Sequence, residues 1–113
     1  MTIFTKSILA ALAKNGAASR VKDEDRKPVI KIFNPCGGAT WLLTESDPDE
    51  SDRLFGLCDL GQGTPELGYV LRSELESIRG AMGLPLERDK WFKATKTLNE
   101  YAAEARENGR IEA

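Results

Sequence analysis

A chain of 113 residues with 41% apolar and 30% charged side chains is long enough for one core burying roughly two thirds of its unfolded surface, and too apolar to stay disordered. Its formal charge of −2 and pI near 5.2 exclude a general attraction to phosphate backbones or anionic lipid. Histidine is absent, which removes the commonest general base, any Ser–His or Cys–His nucleophile pair and the commonest zinc ligand.

In chain order, residues 5–15 read as a docking helix. Thr5 caps it, Ile8, Leu9 and Leu12 share one face, Lys14 suits the negative C-terminal end and Gly16 ends it. The segment from Ala17 to Lys27 carries seven charges and almost nothing apolar, so it reads as a solvated connector. Four short runs follow between residues 28 and 71, rich in β-branched, aromatic and leucine side chains: Val29 to Phe33, Thr40 to Thr44, Leu54 to Leu60 and Leu67 to Leu71. Short Gly- and Pro-containing connectors between them favour an antiparallel meander over crossover units. In the last run, Leu67, Tyr69 and Leu71 alternate with Gly68 and Val70, which predicts one buried face.

Ser73-Glu74-Leu75-Glu76 has the form of a capping box and predicts a short helix over 73–80. A structured loop runs from Gly80 to Asp89, and Trp91-Phe92 returns to the core as a brief strand or turn. Thr97-Leu98-Asn99-Glu100 repeats the box pattern. Behind it Leu98, Tyr101, Ala102 and Ala105 form a narrow stripe, predicting a C-terminal helix over 97–108 that Asn108-Gly109 ends. The fold class expected is α+β: a single domain with an antiparallel sheet of four strands or slightly more, an N-terminal helix, a short central helix and a C-terminal helix packed against it.

The charge is uneven. Residues 1–44 hold seven Lys/Arg against three acids, residues 45–59 hold six acids against Arg53 alone, and residues 60–113 hold eight against nine. Within Glu45 to Asp52, Asp47, Asp49 and Ser51 alternate as oxygen donors would in an EF-hand. The position that requires glycine is Asp52, however, and the twelfth is Cys58 instead of a bidentate glutamate. Pro48-Asp49 is not followed by the Glu-x-Lys strand of a metal-dependent nuclease, and Gly61 and Gly63 lie between strands, where they serve a hairpin and not a phosphate cradle. No metal or cofactor is expected. Cys36 and Cys58 are too few to staple a small secreted fold, and the N-terminal apolar run is too short for a leader or a spanning helix, so the expected compartment is the cytoplasm, with no membrane partner.

A second polar cluster is Glu87-Arg88-Asp89-Lys90 with Trp91, Phe92, Lys93 and Lys96. Arg88 can anchor the loop by bidentate pairing to a carboxylate, and the aromatics either plug the core or stack on nucleic-acid bases.

Taken together, Trp41, Thr44-Glu45, Asp47-Pro48, Asp52-Arg53-Leu54-Phe55-Gly56, Glu66-Leu67-Gly68-Tyr69, Glu74-Leu75, Arg79-Gly80, Gly83-Leu84 and Glu87-Arg88-Asp89 with Phe92 resemble the domain of unknown function 2958 family. The resemblance implies a bacterial protein carried on plasmids, phages or other mobile elements, and it implies no known activity. Three readings stand. The first is a non-enzymatic protein-binding module, an inhibitor of a host defence or nucleic-acid-handling complex, whose partner surface comprises Glu45, Asp47, Asp49, Glu50, Asp52 and Arg53 with Arg79, Glu87, Arg88, Asp89 and Trp91. The second is a nucleic-acid-binding accessory protein using the region from Arg79 to Lys96. The third is a carboxylate-based enzyme, which needs no histidine.

Overall fold

The computed structural model describes residues 3–113. The chain begins with helix α1 (Lys6–Val21), continues through strands β1 (Ile30–Phe33), β2 (Thr40–Ser46), β3 (Arg53–Asp59) and β4 (Glu66–Leu71) and helix α2 (Arg72–Ser77), and ends with the two-residue strand β5 (Glu87–Arg88) and helix α3 (Leu98–Asn108). The strands form one antiparallel sheet in the order β4-β3-β2-β1-β5, so the expected α+β meander is present with a fifth strand added.

Strand alternation sends side chains to two faces, and each face has its own cover. On one, Ile30, Ile32, Trp41, Leu43 and Leu54 pack with Leu12 of α1, Leu75 of α2 and Leu86. On the other, Leu42 and Leu57 pack with Leu98, Tyr101, Ala102 and Ala105 of α3. The sheet is thus the middle of three layers. Each leucine buried in this way contributes about 2 kcal/mol.

Helix α1 starts as expected, with the Thr5 hydroxyl accepting from the Ile8 amide at 3.2 Å. It does not stop at Gly16 but runs a further turn and more, to Val21. Gly16 is buried where α1 crosses the end of β2, and a Cβ there would lie 1.8 Å from the Ser46 carbonyl oxygen. The glycine therefore permits close helix–sheet contact instead of terminating the helix. Asn15 fastens the same crossing by donating to the Thr44 carbonyl oxygen at 2.9 Å.

The connector after α1 is correspondingly shorter than expected, and it is pinned. Arg26 O accepts from the Leu98 amide at 2.8 Å and the Asp25 carboxylate from the Asn99 amide at 3.0 Å, so both serve the start of α3. The predicted box at Thr97 is complete: Thr97 Oγ1 accepts from the Glu100 amide while Glu100 accepts from the Thr97 amide. Gly109 closes α3 at φ +74°.

The box at Ser73 does not form. Asp52 takes both the Ser73 amide, at 2.9 Å, and its hydroxyl, at 2.6 Å, so α2 starts at Arg72 without a side-chain cap and ends at Ser77, before Gly80. Strand β4 departs from expectation too. It is an edge strand in which no residue is fully buried, and Tyr69 is 59% exposed. The returning strand is Glu87–Arg88, and Trp91 lies in the turn after it. Both cysteines are free thiols, Cys36 exposed and Cys58 half-buried. Among the described residues no helix is long and apolar enough to cross a membrane.

Candidate functional site

The acidic turn between β2 and β3 is held by the protein's own donors. Asp47 Oδ1 accepts from the Asp49 amide at 2.9 Å and from Arg20 of α1 at 3.2 Å, and Asp49 meets the same guanidinium at 2.8 Å. Arg53 lies 3.7 Å from Asp47, and Glu45 accepts from Ser19 at 3.1 Å. With Asp52 spent on Ser73, Glu50 is the acid of this group whose side chain makes no such contact among the described residues. The bond from the Asp49 amide, with help from Arg20 and Arg53, pulls the Asp47 carboxyl below the usual carboxylate range, and the Ser73 hydroxyl does the same for Asp52.

Glu100, bonded to the Thr97 amide, is lowered as well. A carboxyl whose folded value lies below its unfolded one adds stability that is fully present above the unfolded value and is lost as pH falls through the folded value. Acid unfolding is therefore expected below ~pH 4, with no loss of stability between about pH 5 and 7. Thermal denaturation at successive pH values checks this, and a midpoint that already falls between pH 7 and 5 would contradict it.

The fold splits the second polar cluster: Glu87, Arg88, Asp89, Lys90 and Trp91 line one groove, and Arg79, Phe92, Lys93 and Lys96 lie outside it. Among the described residues Arg88 pairs with no carboxylate; its Nη1 donates to the Ile3 carbonyl oxygen at 2.8 Å and ties the N-terminal segment to β5. Arg79 folds back on the carbonyl oxygens of Glu76 and Ile78, at 3.0 and 2.9 Å. Lys96 pairs with Glu104 of α3. Glu87, Lys90 and Lys93 are exposed. The two aromatics separate. Phe92 leans on Tyr101 with ring centroids 6.3 Å apart, whereas Trp91 is 90% exposed. Asp89 fixes that turn by accepting from the Trp91 amide at 2.9 Å.

Trp91 stands on the rim of a groove of about 770 Å³. The groove lies where β1 ends and β2 begins. Phe33 and Ile111 supply apolar wall, and Lys31, Arg110 and Asp59 supply polar groups. Most of the cations here are already satisfied: Lys31 by the Ala113 carbonyl oxygen and by Asp89 at 3.6 Å, Arg110 by Glu112 at 3.0 Å, and Arg88 by Ile3.

Asp59 had no predicted role. It is 1% exposed, and its two oxygens accept from the Gly61 amide at 2.8 Å and the Ile111 amide at 2.9 Å, clamping the segment after α3 against the end of β3. The local signal was an Asp two residues before a glycine, which reads as a turn and says nothing of the distant Ile111. Among the described residues no group of three or more acids or cysteines is arranged to hold a metal ion.

Comparison with curated proteins and with solved structures gives no significant match. The family described as Protein of unknown function (DUF2958) matches residues 3–112, nearly the whole chain. The protein therefore belongs to the domain of unknown function 2958 family, as the motifs distributed from Trp41 to Phe92 implied.

Proposed function

We propose that this protein is a non-enzymatic recognition module that takes a segment of a partner protein into the groove beside Trp91. The observation that carries the reading is the exposure of Trp91 on the rim of a groove large enough for several side chains. Tryptophan and arginine dominate the binding energy of protein interfaces when a pocket desolvates them, and a tryptophan held in water by a turn that Asp89 fixes has no folding purpose of its own. Groove cations occupied by internal carboxylates and carbonyls favour a protein segment over a phosphate backbone, which needs free Lys and Arg to displace counterions. The acidic turn takes a supporting part: Arg20, Arg53, Ser19 and Ser73 already neutralise or engage most of it. On a mobile element, the setting that the family resemblance implies, the segment would come from a host defence or nucleic-acid-handling complex.

Trp91→Ala is expected to leave the thermal midpoint unchanged and to weaken partner capture by about 30-fold, equivalent to ~2 kcal/mol. Glu50→Gln is expected to leave capture unchanged. Affinity capture from the native host with wild-type and both variants checks this, alongside a low-salt retardation assay with single- and double-stranded DNA. Salt-sensitive retardation that Trp91→Ala abolishes would replace the protein partner with nucleic acid.

A further inference from the structure

The free edge of β4 points to a second copy of this chain. The Arg72 amide donates to Asp52 O at 2.7 Å, on the β3 side, and Arg72 continues the register in which Leu71 faces Arg53. By strand alternation Glu66, Gly68 and Val70 then turn their backbone groups to β3, and Leu67, Tyr69 and Leu71 turn theirs outward. As outward groups of an edge strand, the amides of these three residues have no neighbouring strand to pair with among the described residues. Folded proteins usually protect such an edge with lysine, proline or a bulge, and the run Glu66-Leu67-Gly68-Tyr69-Val70-Leu71 contains none of these.

Gly68 gives an independent indication. Its φ is not positive, and a Cβ added there would meet nothing within 4 Å, so the isolated chain has no steric need for a glycine that weakens a strand. A strand glycine of this kind is stabilised when the side chain of a cross-strand neighbour covers it. Near the start of β4, Leu60 is 62% exposed and lines a shallow hollow with Val70, Gln62, Thr64 and Glu66.

We infer that two copies pair β4 to β4 in antiparallel fashion about a twofold axis at Tyr69, making one continuous ten-stranded sheet. Outward residues must face outward residues in such a pair, so Tyr69 opposes Tyr69 and Leu67 opposes Leu71 of the second copy. This register sets Glu66 of each copy opposite Arg72 of the other, whose guanidinium lies 3.5 Å from Glu76 in its own chain and would be shared with Glu66, and places Val70 of the second copy over Gly68. Because β5 is the opposite edge of the sheet, both Trp91 grooves stay open in the dimer. Pairing at β4 does not depend on what those grooves take.

Sedimentation equilibrium of the whole chain, run up to about 1 mM, tests the inference. The wild-type chain is expected to reach the mass of a dimer. Gly68→Lys, whose side chain enters open space, is expected to keep the thermal midpoint and raise the dimer dissociation constant at least ~10-fold. Glu66→Arg alone weakens association, and Glu66→Arg with Arg72→Glu restores it if the register is right. A wild-type chain that stays monomeric throughout, or a Gly68→Lys chain that dimerises as the wild type does, overturns the inference.

Discussion

Replacing Gly56 by alanine is expected to destabilise the protein by ~3 kcal/mol or more and lower its thermal midpoint by at least ~12 °C. A Cβ at this position would lie 2.0 Å from the Leu42 carbonyl oxygen and 2.8 Å from Leu43 Cα, both backbone atoms of the central strand. Side chains can swing away from an added methyl, but a strand backbone moves only by parting β2 from β3, whose register already shifts between Leu43 and Glu45. Gly68 is the internal control. It faces Gly56 directly across β3 and β4, and an alanine there meets nothing within 4 Å. In a thermal melt at a concentration that keeps the chain monomeric, Gly68→Ala should match or exceed the wild type. Equal midpoints for the two variants would show that the close approach at Gly56 is not real.

Asp59→Ala is expected to cost about 3 kcal/mol and to free the segment after α3. The buried carboxylate accepts from two amides 50 residues apart in sequence, Gly61 and Ile111, and bonds to a charged acceptor contribute ~1.5 to 3 kcal/mol each. Gly61 lies in an exposed turn that can open to water, so most of the loss falls on the half-buried Ile111. Asp59→Asn keeps one acceptor and presents a donor to the other amide, so its midpoint should fall between those of wild type and Asp59→Ala. Hydrogen exchange should show residues 109–113 losing protection in Asp59→Ala while the α1 face of the sheet keeps its own. Since Arg110 and Ile111 form one wall of the groove, the same variant should also blunt partner capture. Unchanged exchange in that segment would show that the clamp contributes little.

The elements legible in the sequence are those set by neighbours a few residues away. The Thr5 cap, the Thr97 box, the Leu98-Tyr101-Ala102-Ala105 stripe and the four strand runs all rest on periods of two or on i, i+3 and i+4 spacing, and the structure has each of them. What local pattern could not resolve was choice among partners. Ser73 carries a box sequence, but Asp52, 21 residues away, takes its donors first. Gly16 has the form of a helix stop, and only the Ser46 carbonyl oxygen beside it reveals a packing glycine. The acids from Glu45 to Asp52 read as a bare negative face because nothing local shows Arg20, some 27 residues upstream, lying against them. Trp91 and Phe92 are adjacent and chemically alike, yet one packs on Tyr101 and the other faces water. Both amides bond back to Asp89 in the turn that separates them, and no periodicity records that turn.

The groove account is tested most directly by where the protein touches its partner in the cell. A photo-reactive phenylalanine analogue is placed at position 91 and, in a separate strain, at position 50 of the acidic turn, and the native host is irradiated. A discrete protein adduct from position 91 and none from position 50 is the predicted outcome. Adducts from 50 with none from 91 would contradict the account and return the binding surface to the acidic turn.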